Sequence, residues 1–397
     1  MTRKIRNFAD ILHPVTPAAF FAEYHDKKPL HIPGAPDKFA SVMSWQSLNG
    51  LLNMTTIWSA ASLQLVLDKA VIPAAQYCRP GIDRNKIQVM QPDAARVTAL
   101  LRQGASLVAN DVDALAPGLR AVSEALEAAL GAKAQANLYC SWRQRQAFDS
   151  HFDTHDVYVL HVEGEKVWRV YQTRVDTPIA HPRFKSYGQA HHDRAKGKVL
   201  MDITMRPGDL LYLPRGQYHD ALASSAGTLH ASFGLTAVIG IDFVDLIRDM
   251  AIEDSLFRAN VPAPATGEAP VATHVRRLAA RLGELAASPE ALDRFTSFQR
   301  GFRYARGGFR LPEAATVPEF RVRGRGLKVV KSGSVWALVD KARSVPIPPG
   351  GNKLVAWVID RERFSGDEIA AAFPDTAIEE RTRMLRDLAA MKVIEPA

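Results

Sequence analysis

Three side chains suited to binding a transition metal stand in two short motifs of this sequence. The first motif is HFD, in which His151 and Asp153 are two positions apart and project to one face of an extended strand. The second is PRGQYH, which ends in His219 after an apolar strand and a turn. Two imidazoles and one carboxylate form the facial triad typical of Fe(II), a ligand set that leaves coordination positions open. The sequence therefore predicts a catalytic metal centre formed by His151, Asp153 and His219.

Other histidines near the first motif are weaker candidates, and the chain has 12 histidines in all. His155 has the same strand parity as the two predicted ligands before it, so parity alone does not exclude it. It lies one further step of about 6.6 Å along the strand, which argues against it. We expect His155 and His161 to be ordinary strand and turn residues. His191 and His192 lie in the polar segment YGQAHHDRAKGK, where we expect a solvated loop.

A lysine stands at an unusual place in the strand KVWRVY. Lys166, Trp168 and Val170 share one face of this strand. Burying an ammonium group among such neighbours is costly unless it meets an anion. The alternative is that the side chain reaches solvent at the strand end. A metal with open positions can take a 2-oxo acid through two atoms, and the far carboxylate of that ligand is the anion we expect Lys166 to bind.

The elements that must position these side chains are short strands. From about residue 136 to 238 the chain alternates between apolar runs and turns rich in Gly, Pro and Asp, as in ANLYCSW, DVYVLHV, DLLYLP and TLHASFGLTAVI. Many short strands at close spacing are typical of a β-sandwich or barrel. Before them we expect mixed elements, among them a short strand at Leu30–Ile32 and a helix from Pro117 to Gly131.

Helices follow the predicted barrel, including IDFVDLIRDMAIEDSLF, THVRRLAARLGELAA and PEALDRFTSFQRGF. Ser288 is placed to cap the last of these, with Pro289 at its first position. A third unit begins near Pro318 and combines two strands, LKVVKSG and SVWALVD, with two helices. Ser365 with Glu368, and Thr376 with Glu379, have capping-box spacing. This unit looks like a small winged helix, used either for packing and dimerisation or for binding nucleic acid.

The segment HFDTHDVYVLHVEGEKVWRVY, followed by PGDLLYLPRGQYH, resembles the JmjC-type 2-oxoglutarate/Fe(II) oxygenases. Within them it is most similar to the ribosomal-oxygenase group of protein hydroxylases. KKPLHI, QANLYCSW, the helical segment and the C-terminal unit also occur in that group's order. The resemblance implies an α+β fold with three domains. Residues 1–240 would form a double-stranded β-helix (a jelly-roll or cupin-like JmjC barrel) with an N-terminal α/β elaboration. A helical dimerisation domain would follow in 241–315, and a winged-helix-like domain in 316–397.

The resemblance also implies roles for residues of the barrel. His151, Asp153 and His219 would bind Fe(II). Lys166 would pair with the C5 carboxylate of 2-oxoglutarate, the cosubstrate, and the hydroxyl of Ser232 would assist it.

Three further positions are implied to face the substrate. Asn137 and Tyr139, in ANLYC, fall where the group has an Asn-x-Tyr that faces the target side chain. Gly234 departs from the pattern, because a hydroxyl residue contacting the target is expected there. The departure leaves the identity of the substrate open, and the chemistry unaffected.

The function implied is an oxygenase that uses Fe(II), 2-oxoglutarate and O₂ to hydroxylate a protein side chain. The expected target is a histidine or an arginine of a ribosomal protein, and the expected assembly is a homodimer. One alternative keeps the chemistry and changes the substrate to a small molecule or a free amino acid. Another is a metal-binding adaptor without catalytic activity.

Composition is compatible with these expectations. The 397 residues carry 50 Lys and Arg against 42 Asp and Glu, a net charge of +8, which permits an anionic partner such as nucleic acid without requiring one. Two cysteines, Cys78 and Cys140, are too few for a disulfide framework and fit a reducing compartment. No apolar run reaches 18 residues and no signal peptide is apparent, so we expect a cytoplasmic protein without a membrane span.

Overall fold

A computed structural model describes residues 4–82, 88–142, 148–223, 227–307, 319–323, 326–340 and 344–397. Its contacts divide the chain into two units, Met1–Arg306 and Gly307–Ala397. The helices after the barrel belong to the first unit. The finer division into three domains, with boundaries after residues 240 and 315, stays a prediction.

The strands of the first unit carry the candidate site. They are β1 Leu30–Ile32, β2 Leu63–Leu67, β3 Ala70–Val71, β4 Cys78–Ile82, β5 Gln88–Pro92, β6 Ser106–Ala109, β7 Ala132–Ser141, β8 Asp156–Glu163, β9 Lys166–Arg174, β10 Val199–Met205, β11 Leu210–Leu213, β12 Gln217–Ala223 and β13 Thr228–Ala237. An eight-stranded antiparallel sheet has the order β1-β11-β8-β13-β7-β6-β2-β3, and a three-stranded antiparallel sheet has the order β10-β9-β12. The short strand predicted at Leu30–Ile32 is confirmed.

The two sheets pack face to face. Apolar side chains of β8 and β11 from the large sheet meet those of β9 and β10 from the small sheet in one buried cluster, formed by Val157, Val159, Trp168, Val170, Ile203, Met205, Leu211 and Leu213. Alternate residues of each strand point into this layer, as expected for packed sheets. The unit is therefore a mixed α/β structure with a large antiparallel sheet, consistent with the predicted cupin-like barrel.

Helices cover the outside of the large sheet and follow the barrel. They are α1 Phe8–Leu12, α2 Pro17–Glu23, α3 Trp45–Leu52, α4 Ala74–Tyr77, α5 Ala94–Gln103, α6 Pro117–Leu130, α7 Pro182–Lys185, α8 Gln189–Ala195, α9 Gly240–Glu253, α10 Ser255–Arg258, α11 Glu268–Ala286 and α12 Pro289–Gly301, with 3₁₀ turns at Thr55–Ile57 and Pro264–Thr266. None of the helices among the described residues is long and apolar enough to cross a membrane.

The predicted ends of two helices are confirmed. α6 begins at Pro117, and Gly131 follows it in the left-handed region with φ of 58°, a conformation that glycine adopts without strain. Its buried residues Leu119, Val122 and Leu126 join the main core beneath the large sheet. The hydroxyl of Ser288 accepts a hydrogen bond from the first turn of α12, as predicted.

The second unit contains two small antiparallel sheets and three helices in its described residues. Its elements are β14 Glu319–Val322, β15 Lys328–Ser332, β16 Val335–Val339, β17 Ser344–Ile347, α13 Asn352–Ile359, β18 Arg363–Ser365, α14 Gly366–Ala372, α15 Ile378–Ala390 and β19 Ile394–Pro396. The sheets have the orders β18-β14-β19 and β15-β16-β17. Identification of this unit as a winged helix stays a prediction.

One of the two capping boxes predicted in this unit is confirmed and the other is wrong. Ser365 and Glu368 exchange side-chain and backbone hydrogen bonds at the start of α14. Thr376 does not cap α15, which begins at Ile378 without a side-chain cap. The backbone N–H of Thr376 instead donates to Phe373 O at 3.2 Å. This turn delays the helix by one residue relative to the predicted start.

The N-terminal segment packs closely against the turn that precedes β11. Gly208 has φ of +94°, and a Cβ added there would lie 1.9 Å from Ala35 O. We expect Gly208→Ala to lower the melting temperature by about 5 °C or more, because it combines a strained φ with a backbone clash. Gly50→Ala is the control, since its added Cβ meets no atom within 4 Å. Equal melting temperatures of the two variants by calorimetry would contradict this account.

Candidate metal centre

His151 and His219 lie opposite each other across two backbone hydrogen bonds. The N–H of His151 donates to His219 O at 3.1 Å, and the N–H of His219 donates to His151 O at 2.9 Å. Opposed residues of an antiparallel pair share a face, and the two ring centroids are 4.6 Å apart. The N–H of Gly216 also donates to Asp153 O at 2.8 Å. The turn before His219 therefore positions the backbone of Asp153 as well.

The predicted strand at HFD is shorter than expected. Only His151 forms a strand bridge, and Phe152 and Asp153 lie in an irregular segment before β8. The alternation still holds, because Phe152 packs into a separate cluster with Tyr171 and Tyr218. Asp153 is therefore directed to the same side as His151, as the sequence predicts.

Backbone carbonyls orient both imidazole rings. Nδ1 of His151 lies 2.7 Å from Asp149 O, and Nδ1 of His219 lies 3.0 Å from Gln217 O. A carbonyl only accepts, so in each ring Nδ1 carries the proton and Nε2 keeps a free lone pair. Nε2 of His219 is 3.7 Å from Asp153 Oδ2. Candidate ligand atoms of the three residues all lie within 4.8 Å of one another.

The surroundings keep these groups in the forms that bind metals. Burial lowers the pKa of His219 to about 4, and His151 acts in the same direction. Burial alone would raise the pKa of Asp153, but His155, His151 and His219 together lower it below its usual value. At neutral pH the site therefore offers a neutral imidazole and a carboxylate, which is what metal binding requires. The donor set fits Fe(II).

The triad opens into a small cavity inside the barrel. The cavity has a volume of about 90 Å³ and is lined by Tyr139, Phe148, His151, Asp153, Val157, Lys166, Trp168, His219, Ala221, His230 and Ser232. Six of the eight predicted site residues therefore line the cavity, and Asn137 and Gly234 do not. Asn137 accepts a hydrogen bond from the N–H of Asp111 at 3.1 Å, and Gly234 follows Ser232 on β13.

Lys166 is buried in this cavity, so the alternative that it reaches solvent is wrong. Its side chain is only 5 % exposed, and it shares the inner face of β9 with Trp168 and Val170, as predicted. Burial lowers the pKa of Lys166 to about 8. Among the described residues, no carboxylate forms an ion pair with it. A buried cation without a counter-ion is costly, and an anionic ligand would compensate it.

Other buried polar groups around the cavity were missed by sequence reasoning. His230 Nδ1 and Trp168 Nε1 are buried without a hydrogen-bond partner in the described part of the chain. The ring of His230 stacks on Tyr139 with centroids 5.0 Å apart. The sequence did contain a signal for His230. It precedes Ser232 by two residues, so the two side chains lie on the same face of β13. These polar atoms make the interior suited to a polar ligand.

Comparison with known proteins agrees with the geometry. Residues 117–242 match the family model of the JmjC domain. This part of the chain is therefore similar to a JmjC domain. The motifs around His151 and His219, which predicted this similarity, both lie within the matched residues.

Two curated relatives and one solved structure are similar to this chain over a larger part of its length. Ribosomal oxygenase 2 of Bos taurus is 29% identical over 273 residues, covering 64% of this chain and 54% of the relative. The bifunctional lysine-specific demethylase and histidyl-hydroxylase NO66 of Drosophila persimilis is 26% identical over 223 residues. The match covers 55% of this chain and 29% of that relative. The chain thus spans about half the length of the bovine relative. The ribosomal oxygenase YcfD of Escherichia coli, solved with cobalt and 2-oxoglutarate, has the same fold, with a TM-score of 0.50. The two sequences are 16% identical, and the match covers 96% of this chain and 98% of that chain.

The triad leads to a prediction about metal binding. We expect His219→Ala to weaken binding of Mn(II), used as a redox-stable probe, by about 100-fold or more. Removing a metal ligand should lower the affinity by more than removing a residue that only hydrogen-bonds to a ligand. His191→Ala removes an exposed histidine outside the cavity and is the control. Calorimetric titration measures both affinities. Equal Mn(II) affinities would exclude His219 as a ligand.

Lys166 leads to a prediction about stability. We expect Lys166→Met to raise the free energy of unfolding of the ligand-free protein at pH 7 by about 1–3 kcal/mol, because it removes a buried charge. The folded pKa of about 8 lies below the ordinary 10.5. Between pH 8 and pH 10.5, Lys166 is protonated in a larger fraction of unfolded chains than of folded chains. The free energy of unfolding of the wild type therefore increases with pH in this range. The advantage of the variant should therefore shrink from pH 8 to pH 10.5 in denaturation experiments, and a constant advantage would contradict this origin.

Proposed function

We propose that the protein is an Fe(II)- and 2-oxoglutarate-dependent oxygenase that hydroxylates a protein side chain. One observation carries the proposal: a His-Asp-His triad and a buried lysine without an ion-pair partner among the described residues line the same cavity. His151, Asp153 and His219 would hold the metal. Lys166 would bind the far carboxylate of the cosubstrate, which explains why a cation is buried there.

The residues of the chain would divide the work between orientation and exclusion of water. When bound, Fe(II) and 2-oxoglutarate supply the oxidation, in which O₂ is consumed, succinate and CO₂ are released, and one oxygen atom enters a C–H bond. Lys166 fixes one end of the cosubstrate by a charge-assisted hydrogen bond. Ser232 offers a hydroxyl to the same ligand. Val157 and Ala221 line the cavity with apolar surface and would help to exclude water.

We propose a histidine or an arginine of a ribosomal protein as the target. This proposal is supported by the names of the similar proteins, two of which are ribosomal oxygenases and one a histidyl-hydroxylase. Asn137, Tyr139 and Gly234 are proposed to face the target side chain. Positioning matters because oxidation occurs at the C–H bond held nearest the metal.

A homodimer is the proposed assembly. In support, α9 and α12 carry apolar side chains that are exposed in the single chain, namely Ile241, Val244, Ile252 and Leu292.

Both cysteines are free and buried, in keeping with a cytoplasmic protein. Binding of nucleic acid by the second unit stays a prediction.

The two alternatives differ in how well they account for Lys166. A metal-binding adaptor without activity would have no use for a buried lysine in the metal cavity. A small-molecule or free amino acid substrate is compatible with the same site, and the absence of a side chain at Gly234 keeps it as the second candidate.

Turnover of 2-oxoglutarate tests the chemistry. Protein loaded with Fe(II) under anaerobic conditions should form succinate after addition of 2-oxoglutarate and O₂. We expect His151→Ala and Lys166→Ala to reduce succinate formation by about 100-fold, while the exposed control Lys198→Ala retains it. Unchanged succinate formation in both cavity variants would refute the proposal.

Mass spectrometry tests the substrate. Ribosomal proteins from a strain lacking the gene should have lost the mass of one oxygen atom at a histidine or an arginine, relative to the parent strain. A complete match between the two sets of masses would favour the small-molecule alternative.

A further inference from the structure

The row of side chains that β13 directs toward the cavity stops at Gly234. His230 and Ser232 line the cavity, and Gly234 is the next residue of the same parity. Gly234 is not among the residues with positive φ. Its backbone conformation therefore suits any residue, and what requires glycine here is space.

The imidazole of His155 occupies that space. A Cβ added at residue 234 would lie 2.8 Å from His155 Cε1, 3.1 Å from Nδ1 and 3.2 Å from Nε2. The three nearest atoms all belong to one ring, and the closest contact is shorter than real Cβ atoms make. Gly234 and His155 are thus a matched pair, in which the ring stands where a side chain of residue 234 would begin.

His155 lines a groove that is larger than the metal cavity, and it lies between two cavity residues in the sequence. Its neighbours in sequence, Asp153 and Val157, line the cavity. His155 itself lines a groove of about 530 Å³, together with Lys185, Arg215 and other residues of the same unit. The ring is half-buried. A side chain that enters the groove and extends toward the triad would contact this imidazole.

The hydrogen bonds of His155 define what it can recognise. Nδ1 lies 3.2 Å from Asp156 O, so in the neutral ring Nδ1 donates to that carbonyl and Nε2 is an acceptor. No residue in the described ranges donates to Nε2. The carboxylate of Asp156 is already used by the hydroxyl of Tyr212 at 3.1 Å and the N–H of Arg215 at 2.8 Å. Nε2 of His155 is therefore an acceptor in the groove lining that is without a donor in the described ranges.

We propose that His155 positions the substrate residue, in place of a side chain at position 234. Its Nε2 would accept a hydrogen bond from the N–H of a planar head group, either a guanidinium or an imidazole. Holding the head group at the mouth of the cavity would fix the adjacent carbon atoms near the triad. This inference rests on the proposed function and names the substrate contact of that same site.

Equilibrium binding of peptides tests the proposal without turnover. Protein loaded with Mn(II) and 2-oxoglutarate under argon is titrated with fluorescent ten-residue glycine–serine peptides that contain one arginine, one histidine or, as a control, one alanine. We expect the arginine or the histidine peptide to bind more tightly than the alanine peptide. His155→Ala should weaken that peptide about tenfold, the equivalent of one hydrogen bond, and His155→Gln should restore part of the affinity because it keeps an acceptor.

The matched pair allows a second test. Gly234→Ala should displace the ring and weaken the same peptide, and the double variant with His155→Ala should lose no more than either single variant. The affinity for 2-oxoglutarate, measured in parallel, distinguishes positioning of the substrate from general damage. His191→Ala is the control for both affinities.

Three results would overturn the inference: peptide affinity that does not depend on residue 155, parallel losses of peptide and 2-oxoglutarate affinity, or equal binding of all three peptides. Failure of the proposed function looks different, because wild-type protein would then not bind 2-oxoglutarate. Intact cosubstrate binding with peptide affinity insensitive to His155 would refute the positioning role alone.

Discussion

The pair of backbone hydrogen bonds between His151 and His219 is the constraint on which the site depends. It joins two segments that are far apart in sequence and directs two imidazoles into one cavity. β12 continues from this bridge along β9, with His219 opposite Val170 and Ala221 opposite Trp168. The same register places Lys166 four residues from Val170, roughly 13 Å along the strand. One ladder therefore sets both the metal end and the cation end of the cavity.

The interior of the barrel contains buried polar groups that an apolar interior would lack. Lys166 is buried without an ion pair in the described residues, and His230 and Trp168 have buried polar atoms without partners there. Such groups destabilise a protein unless a ligand satisfies them. A dicarboxylate bound in the cavity would satisfy Lys166. The proposed ligand would therefore stabilise the site relative to its ligand-free form.

Local features of the fold could be predicted because they depend on neighbouring residues. The ends of α6 follow from Pro117 and Gly131, and the start of α14 follows from Ser365 and Glu368. The second capping box failed because a turn at Phe373 used the backbone of Thr376. His191 and His192 lie in the short helix α8 and not in the loop that the polar sequence predicted. Polar composition alone does not distinguish a short surface helix from a loop.

The sequence by itself determined the types and parities of the residues that meet at the centre. HFD, the lysine of KVWRVY and the histidine after PRG are local patterns, and alternation along a strand predicts which of their side chains share a face. Only the tertiary structure decided which strands are neighbours and how much space lies between them. It shows that His230 joins the cavity, and that His155 fits because Gly234 has no side chain. Such contacts depend on the register between strands and on close packing, which neighbouring residues do not encode.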